Sequence, residues 1–391
     1  MNTNQAFKLT VPILFLIVEG CNDPRQNVQQ GDTIFAQYDA LFPELLEKRD
    51  VPGVAIAIIQ NGIPIWSNGY GFSYKHSDKR VTSDTRFNIG SVSKAITAWA
   101  VMKLVERSLI ELDAPVDRYL KRWHLPKSDF DNHKVTVRRL LNHTAGLSVY
   151  PAGVTVDPAG LYRPGDKLPT LEESLSRSRG SFGVLRVIRE PGTRYEYNNG
   201  GYAILQLLVE EVTGETFADY MQRAIFSPLR MYNTGYHWSP ELQTAVAAPY
   251  NEHGEVWPHY LGVEQGSGGV FTTVSDLALF VAAIDSSGVG LPGRGVLKPS
   301  TVVEMLAPSK ETNGQYGLGY QMAPLKKNGY FIAHQGANEG FRSLFLFDRE
   351  KRSGIVILTN SDVGTRIVAD IVCVWAKSVA IELSNPCPDD L

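Results

Sequence analysis

The stretch of sequence that decides the fold is Phe87-Asn88-Ile89-Gly90-Ser91-Val92-Ser93-Lys94-Ala95-Ile96-Thr97-Ala98-Trp99-Ala100. From Ser91 to about Val105 the residues are mostly good helix formers without Pro or Gly, which predicts a helix that opens at Ser91. Lys94 lies three residues further on, and residues three apart are neighbours on a helix surface. A desolvated lysine with a lowered pKa can take the proton of such a serine, and the positive end of the helix favours negative charge on its oxygen. The pattern therefore suggests that Ser91 is a nucleophile.

A second interpretation explains the same residues without catalysis. In it, Ser91 caps the helix and Lys94 is an ordinary surface lysine. Serine and lysine are common, so Ser-x-x-Lys also arises by chance in a chain of 391 residues. The choice between the two interpretations depends on the rest of the sequence.

The composition describes a globular protein with one large core. Of the 391 residues, 43% are hydrophobic and 20% are charged, and the net charge is −3. A weakly acidic chain with scattered basic residues gives no reason to expect a nucleic-acid partner. The sequence contains no apolar run long enough for a transmembrane helix, and no Cys-x-x-Cys or His-Glu-x-x-His motif. We therefore expect neither a metal nor a cofactor.

The first 21 residues resemble an export signal. Lys8 precedes the apolar run from Val11 to Val18, and a small residue then precedes Cys21, as at a bacterial lipoprotein processing site. Glu19 departs from the small or apolar residue usual at its position, and an uncleaved start or a secreted protein cut elsewhere is the alternative. We expect an exported protein, periplasmic or anchored to the membrane through Cys21.

The order of predicted elements indicates one catalytic domain over residues 33–385, after a polar linker over 22–32. Strands are expected near both ends, with an α/β part at about 33–90 and 300–385 and a helical part at about 91–299. The main predicted elements are a helix over 33–48, a hairpin turned at Asn61-Gly62, a helix over 135–147, and strands over 330–336, 341–348 and 354–360. Cys373 and Cys387 are able to pair in an oxidising compartment, but the sequence leaves their pairing open.

Two further clusters supply groups that a serine–lysine pair would need. Tyr197 and Asn199 lie in a glycine-rich turn before a predicted helix, where a phenol can move a proton and a carboxamide can order lysine and substrate. A tight turn that tolerates unusual backbone angles is the alternative explanation. His334 lies near the end of a predicted strand, in Ala333-His334-Gln335-Gly336-Ala337, although a lone strand histidine is usually packed or solvated. His143, near a predicted helix end, is expected to be structural and to bond the last carbonyls.

In the order Ser-x-x-Lys, Tyr-x-Asn and His-x-Gly, the clusters together resemble the serine β-lactamase and penicillin-binding protein superfamily, in particular its class C, D-alanyl-D-alanine carboxypeptidase and esterase-like branch. The resemblance runs from about Val51 to Asn360 and includes Val51-Pro52-Gly53-Val54, Leu140-Leu141-Asn142-His143-Thr144-Ala145-Gly146-Leu147 and Tyr316-Gly317-Leu318-Gly319-Tyr320. It implies an α/β fold of the β-lactamase/transpeptidase type, with an antiparallel sheet flanked by helices and an inserted all-α subdomain.

The resemblance also implies the roles of the catalytic residues. Ser91 would be the nucleophile, Lys94 its activating partner, and Tyr197 the group that transfers protons. The implied activity is that of an acyl-enzyme serine hydrolase in the bacterial cell envelope, cleaving an ester, a D-amino-acid peptide or another amide. The alternatives are a class C-type β-lactamase, or a penicillin-binding or sensor protein that is acylated with little turnover. An α/β-hydrolase is disfavoured because no Gly-x-Ser-x-Gly motif occurs.

The remaining site residues would bind a small-molecule or peptide substrate. By resemblance, Asn199 contacts substrate, His334 and Gly336 lie on the strand beside the nucleophile, and the N–H of Ala337 joins that of Ser91 in an oxyanion hole. The sequence has His334 where many β-lactamases have lysine, so we expect weak binding of a substrate carboxylate, strengthened at low pH if the imidazole titrates near its ordinary pKa. Asn198 also departs from the common serine, with little consequence expected.

Overall fold

The computed structural model describes residues 24–148, 162–178, 183–285, 294–327 and 329–388, with side chains from Phe35 onward. Of these residues, those from Phe42 onward form one compact unit, and residues 24–41 belong to another. The predicted signal peptide and Cys21 lie outside the described residues. Export and anchoring therefore stay predictions.

The structure contains eleven α-helices and nine strands among the described residues. The helices are α1 (Pro24–Arg49), α2 (Ser93–Glu106), α3 (Val137–Leu141), α4 (Leu171–Ser176), α5 (Asn199–Thr213), α6 (Phe217–Met221), α7 (Pro240–Ala245), α8 (Gln265–Gly268), α9 (Val274–Ala283), α10 (Pro299–Met305) and α11 (Thr365–Ser378). The strands are β1 (Gly53–Gln60), β2 (Ile63–Tyr74), β3 (Lys79–Arg80), β4 (Arg86–Asn88), β5 (Phe271–Thr273), β6 (Gln321–Pro324), β7 (Tyr330–Asn338), β8 (Phe341–Asp348) and β9 (Ser353–Thr359).

Seven of the strands form one antiparallel sheet in the order β3-β2-β1-β9-β8-β7-β6. The two ends of the chain meet at its centre, where Val54 of β1 pairs with Thr359 of β9. Asn61 and Gly62 both adopt positive φ between β1 and β2, as the Asn-Gly hairpin signal predicts. The predicted antiparallel sheet flanked by helices is confirmed.

Helix α2 occupies the core. Eleven of its fourteen residues are buried, so the helix is covered on nearly all sides rather than along one stripe. Its Trp99 indole N–H donates to the Tyr320 hydroxyl at 2.6 Å, and the Tyr320 ring packs on Phe345 of β8. Through these contacts the helix that begins beside Ser91 is fastened to the sheet.

The helix predicted over 135–147 is wrong beyond Leu141, where α3 ends. His143 adopts a left-handed backbone with φ of +61°, which no α-helix accommodates. The groups that would have continued the helix bond to residues 186–196 instead: Ser148 N–H donates to the Arg186 carbonyl at 2.7 Å, and the His143 carbonyl accepts from Glu196 N–H at 2.9 Å. This exchange brings the end of α3 against the segment that carries Tyr197.

The first helix is longer than the predicted span of 33–48, because it begins at Pro24 and ends at Arg49. Residues 24–32, which the sequence suggested as linker, are therefore helical. Proline at a helix start loses no hydrogen bond, so Pro24 is compatible with the first position of the helix. At the other end of the chain, Cys373 and Cys387 form a disulfide with their Cα atoms 5.7 Å apart, which settles the pairing that the sequence left open. Every helix in the described ranges is too short or too polar to cross a membrane.

Candidate active site

Ser91 lies on a tight turn rather than in the α-helix itself. A 3-10 turn over Gly90–Val92 precedes α2, so the predicted helix start is displaced by two residues. Gly90 has a φ of +48°, and its N–H donates to the Asn88 side-chain oxygen at 2.9 Å. A Cβ added to Gly90 would lie 2.7 Å from the backbone nitrogen of Ala337. Glycine is required here because the turn packs directly on strand β7.

The Lys94 amine lies within hydrogen-bonding distance of the serine. Its Nζ is 3.0 Å from Ser91 Oγ and donates to the Ser267 carbonyl at 2.6 Å, and the side chain is fully buried. Burial lowers the pKa of Lys94 well below its ordinary value. A neutral amine that donates one N–H to a carbonyl keeps a lone pair, so this nitrogen can accept the proton of Ser91.

Two tyrosine rings contact the same amine. The Nζ of Lys94 lies 4.9 Å from the ring centre of Tyr197 and 5.7 Å from that of Tyr202. Such contacts favour the ammonium form by about 0.5–2 kcal/mol. Full burial disfavours the ammonium form, and this desolvation lowers the pKa of Lys94 well below its ordinary value. Burial is the larger effect, so the neutral amine is favoured.

Tyr197 is placed to pass a proton rather than to act as the first base. Burial raises the pKa of Tyr197, and a hydrogen bond with Ser91 opposes this rise. The phenol is therefore neutral at neutral pH and has a proton to donate. The side chain as a whole is 37% exposed, so a substrate can reach it.

The residues after Tyr197 start helix α5. Asn199 is its first residue and is partly buried, next to Tyr197 in the chain. Asn198 caps the helix: its side-chain oxygen accepts from Gly201 N–H at 3.3 Å, and its amide donates to the Ser148 carbonyl at 2.7 Å. Asn198 thereby joins the start of α5 to the segment after α3, and the expectation that its departure from serine has little consequence stays a prediction.

His334 is a buried neutral imidazole. Its Nδ1 lies 2.8 Å from the Gln335 carbonyl, which only accepts, so Nδ1 carries the proton and Nε2 accepts from the Tyr316 hydroxyl at 2.9 Å. Burial lowers the pKa of His334 to about 3. The expectation that mild acid charges His334 and strengthens carboxylate binding is therefore wrong, because the ring has no solvent to support its charge.

Strand β7, which carries His334, packs against the turn that carries Ser91. A Cβ added to Gly336 would lie 2.1 Å from the Ile89 carbonyl oxygen and 3.0 Å from the Ser91 nitrogen. Strand β7 pairs with β6 only as far as Ala333, so β6 leaves the edge beyond it to face the turn. The N–H groups of Ser91 and Ala337, which the resemblance assigns to an oxyanion hole, thus belong to two backbone segments in direct contact.

Helix α8 is a part of the site that the sequence did not indicate. No local pattern in its glycine-rich sequence indicates that the Ser267 carbonyl reaches Lys94. Two side chains hold this short helix through Gly266: Gln206 accepts from its N–H at 2.9 Å, and Thr97 donates to its carbonyl at 2.8 Å. Among the described residues no cluster of three or more His, Cys, Asp or Glu side chains could hold a metal.

Comparison with known proteins agrees with this geometry. The family model described as Beta-lactamase matches residues 38–371, which is most of the chain. The chain belongs to the beta-lactamase family. The predicted resemblance is therefore confirmed at the level of the family.

The proteins to which this chain is similar carry different names. Penicillin-binding protein 4* of Bacillus subtilis is 25% identical over 346 residues, which cover 83% of this chain and 71% of that protein. Protein flp of Staphylococcus aureus is 23% identical over 337 residues, and the chain spans 62% of its length. The solved structure of EstCE1, described as a hydrolase with promiscuous acyltransferase activity, superposes with a TM-score of 0.68 at 20% identity, covering 85% of this chain and 94% of that one. At this identity the likeness shows a shared fold.

Proposed function

We propose that this chain is a serine hydrolase that works through an acyl-enzyme and cleaves an ester, a D-amino-acid peptide or another amide. The observation that carries the proposal is the buried Nζ of Lys94, 3.0 Å from Ser91 Oγ and already donating to a backbone carbonyl. A lysine so buried has no structural advantage over an apolar residue of similar size, because its desolvation is costly. A role in activating Ser91 accounts for its presence.

The chemistry follows from these positions. As Ser91 Oγ bonds to the substrate carbonyl carbon, its proton moves to the lone pair of Lys94 Nζ. The carbonyl π electrons move to oxygen, where the N–H groups of Ser91 and Ala337 would stabilise the charge. The oxyanion electrons then re-form the carbonyl, and the bond from the carbon to the leaving group breaks as that group takes a proton from the Tyr197 hydroxyl, which regains one from the Lys94 ammonium. Water repeats the same steps and releases the acid.

A penicillin-binding protein that is acylated and turns over slowly is the second candidate. The likeness to penicillin-binding protein 4* favours it, although that name describes the relative and not this chain. The two candidates share the first half-reaction and differ in deacylation. The rate at which the adduct is lost distinguishes them.

The electrostatics of the site favour a substrate without a carboxylate next to the scissile bond. Burial lowers the pKa of Lys94 and of His334, which disfavours a positive charge on either group. Arg342, opposite Ala337 in the sheet, already pairs with Asp362 at 3.0 Å and donates to the carbonyls of its own hairpin. None of these three groups is therefore available to pair with a substrate carboxylate, because burial disfavours charge on Lys94 and His334 and Arg342 already has a partner.

The first prediction concerns the nucleophile. A fluorophosphonate should form one adduct per chain by intact-mass spectrometry, located to the peptide that contains Ser91. Ser91→Ala and Lys94→Met should abolish the adduct, because they remove the nucleophile and its base. Ser275→Ala, which removes a partly buried hydroxyl on α9, should leave it unchanged. Equal labelling of Ser91→Ala and the wild type would disprove the assignment.

The second prediction concerns substrate charge. The kcat/KM for 4-nitrophenyl butyrate should exceed that for the 4-nitrophenyl monoester of succinate by at least about tenfold. The succinate carboxylate would give up hydrogen bonds to water without gaining a cation in the site, and the loss of one charge-assisted hydrogen bond corresponds to roughly 1.5–3 kcal/mol. The two esters share a leaving group and differ mainly in a terminal carboxylate. Steady-state kinetics at pH 7 measure both. A preference for the succinate ester would show that a cationic subsite exists.

The third prediction concerns location. We propose that the enzyme is exported and anchored through Cys21, and the Cys373–Cys387 disulfide supports an oxidising compartment. Palmitate fed to a bacterial host should label the wild type and not Cys21→Ala. A mature amino terminus well beyond Cys21 would contradict this proposal and leave the catalytic assignment untouched.

A further inference from the structure

His143 bonds to the backbone on both sides of Tyr197. Its carbonyl accepts from Glu196 N–H at 2.9 Å, and its Nδ1 accepts from Asn198 N–H at 3.1 Å. The left-handed backbone at His143 lets one residue present both acceptors to the same segment. The sequence suggested that His143 bonds the last carbonyls of its own helix, and the observed partners are different.

The imidazole also packs against the phenol ring. The ring centres of His143 and Tyr197 are 4.4 Å apart with planes tilted by 39°, and Tyr202 lies on the same imidazole with its ring centre at 5.2 Å. Both tyrosine rings contact the Lys94 amine. His143 therefore lies directly behind the two rings that enclose the proposed base.

The hydrogen bond to Asn198 requires a neutral ring. An Nδ1 that accepts an N–H carries no proton, so the ring proton is on Nε2. The side chain is 3% exposed, and burial lowers the pKa of His143 well below its ordinary value. Protonation, which would remove the acceptor, is thereby disfavoured.

We propose that His143 is a positioning residue that holds Tyr197 in the orientation needed to give its proton to the leaving group. This inference rests on the proposed acyl-enzyme function. Displacement of a reacting group by about 1 Å can cost roughly 10²-fold in rate. The effect of losing His143 should therefore depend on how much the leaving group needs a proton.

The test uses two esters and two kinds of substitution. Phenoxide is a poor leaving group that benefits from a proton, whereas 4-nitrophenoxide departs without one. His143→Leu removes the acceptor and should lower kcat/KM for phenyl butyrate by about 10²-fold, but for 4-nitrophenyl butyrate by less than about tenfold. His143→Asn should stay within about threefold of the wild type, because asparagine tolerates positive φ and its Oδ1 can replace Nδ1.

A double-mutant cycle separates positioning from stability. In the Tyr197→Phe background, which has no phenol proton, His143→Leu should cost less than about a further twofold. Equal losses on both esters, or an undiminished loss in that background, would overturn the inference. The amide of His143→Gln lies one bond further from the backbone than Nδ1 of histidine, so this variant should behave like His143→Leu. It replaces the leucine variant in the test if that variant does not fold. If the wild type neither hydrolyses the esters nor labels at Ser91, the proposed function itself fails.

Discussion

The structure depends on the burial of one amine. Lys94 Nζ lies between Ser91 Oγ and the Ser267 carbonyl with no exposed surface, and moving a charged ammonium into such a place would cost more than a folded domain usually has in reserve. The neutral amine avoids most of that cost and needs only a carbonyl to receive its N–H. The same desolvation lowers the pKa of Lys94 and so favours an unprotonated amine, whose lone pair can accept the proton of Ser91.

Three parts of the chain that lie far apart in sequence together enclose the Lys94 amine. Helix α2 carries Ser91 and Lys94 into the core, α8 supplies the carbonyl, and the turn before α5 covers the amine with Tyr197. Strand β7 packs against the turn that carries Ser91, with Gly336 and Ala337 in contact with it. Strand β7 is held in the same sheet as β1, which pairs with β9 near the other end of the chain.

Local patterns were enough to predict the pieces of this site but not the contacts between them. The Ser91–Lys94 spacing and the Asn61-Gly62 hairpin are encoded over a few residues, so both could be predicted from the sequence. The Ser267 carbonyl and the bonds from His143 to Glu196 and Asn198 join segments far apart in sequence, and no periodicity indicates them. The error over residues 142–147 has the same origin, since tertiary hydrogen bonds replace the helical ones there. The charge state of His334 could not be predicted either, because it depends on burial that only the packed sheet provides.

The measurement that tests this account most directly is the titration of Lys94 itself. Lysine labelled with ¹³C at Cε reports the charge of each amine by NMR, and the Lys94 signal is identified by its absence in Lys94→Met. We expect Lys94 to lose its proton at a pH well below that of the exposed lysines, with a midpoint that coincides with the rise in the rate of Ser91 acylation. If Lys94 remained an ammonium throughout the pH range in which Ser91 is acylated, it could not be the base, and the account would be wrong.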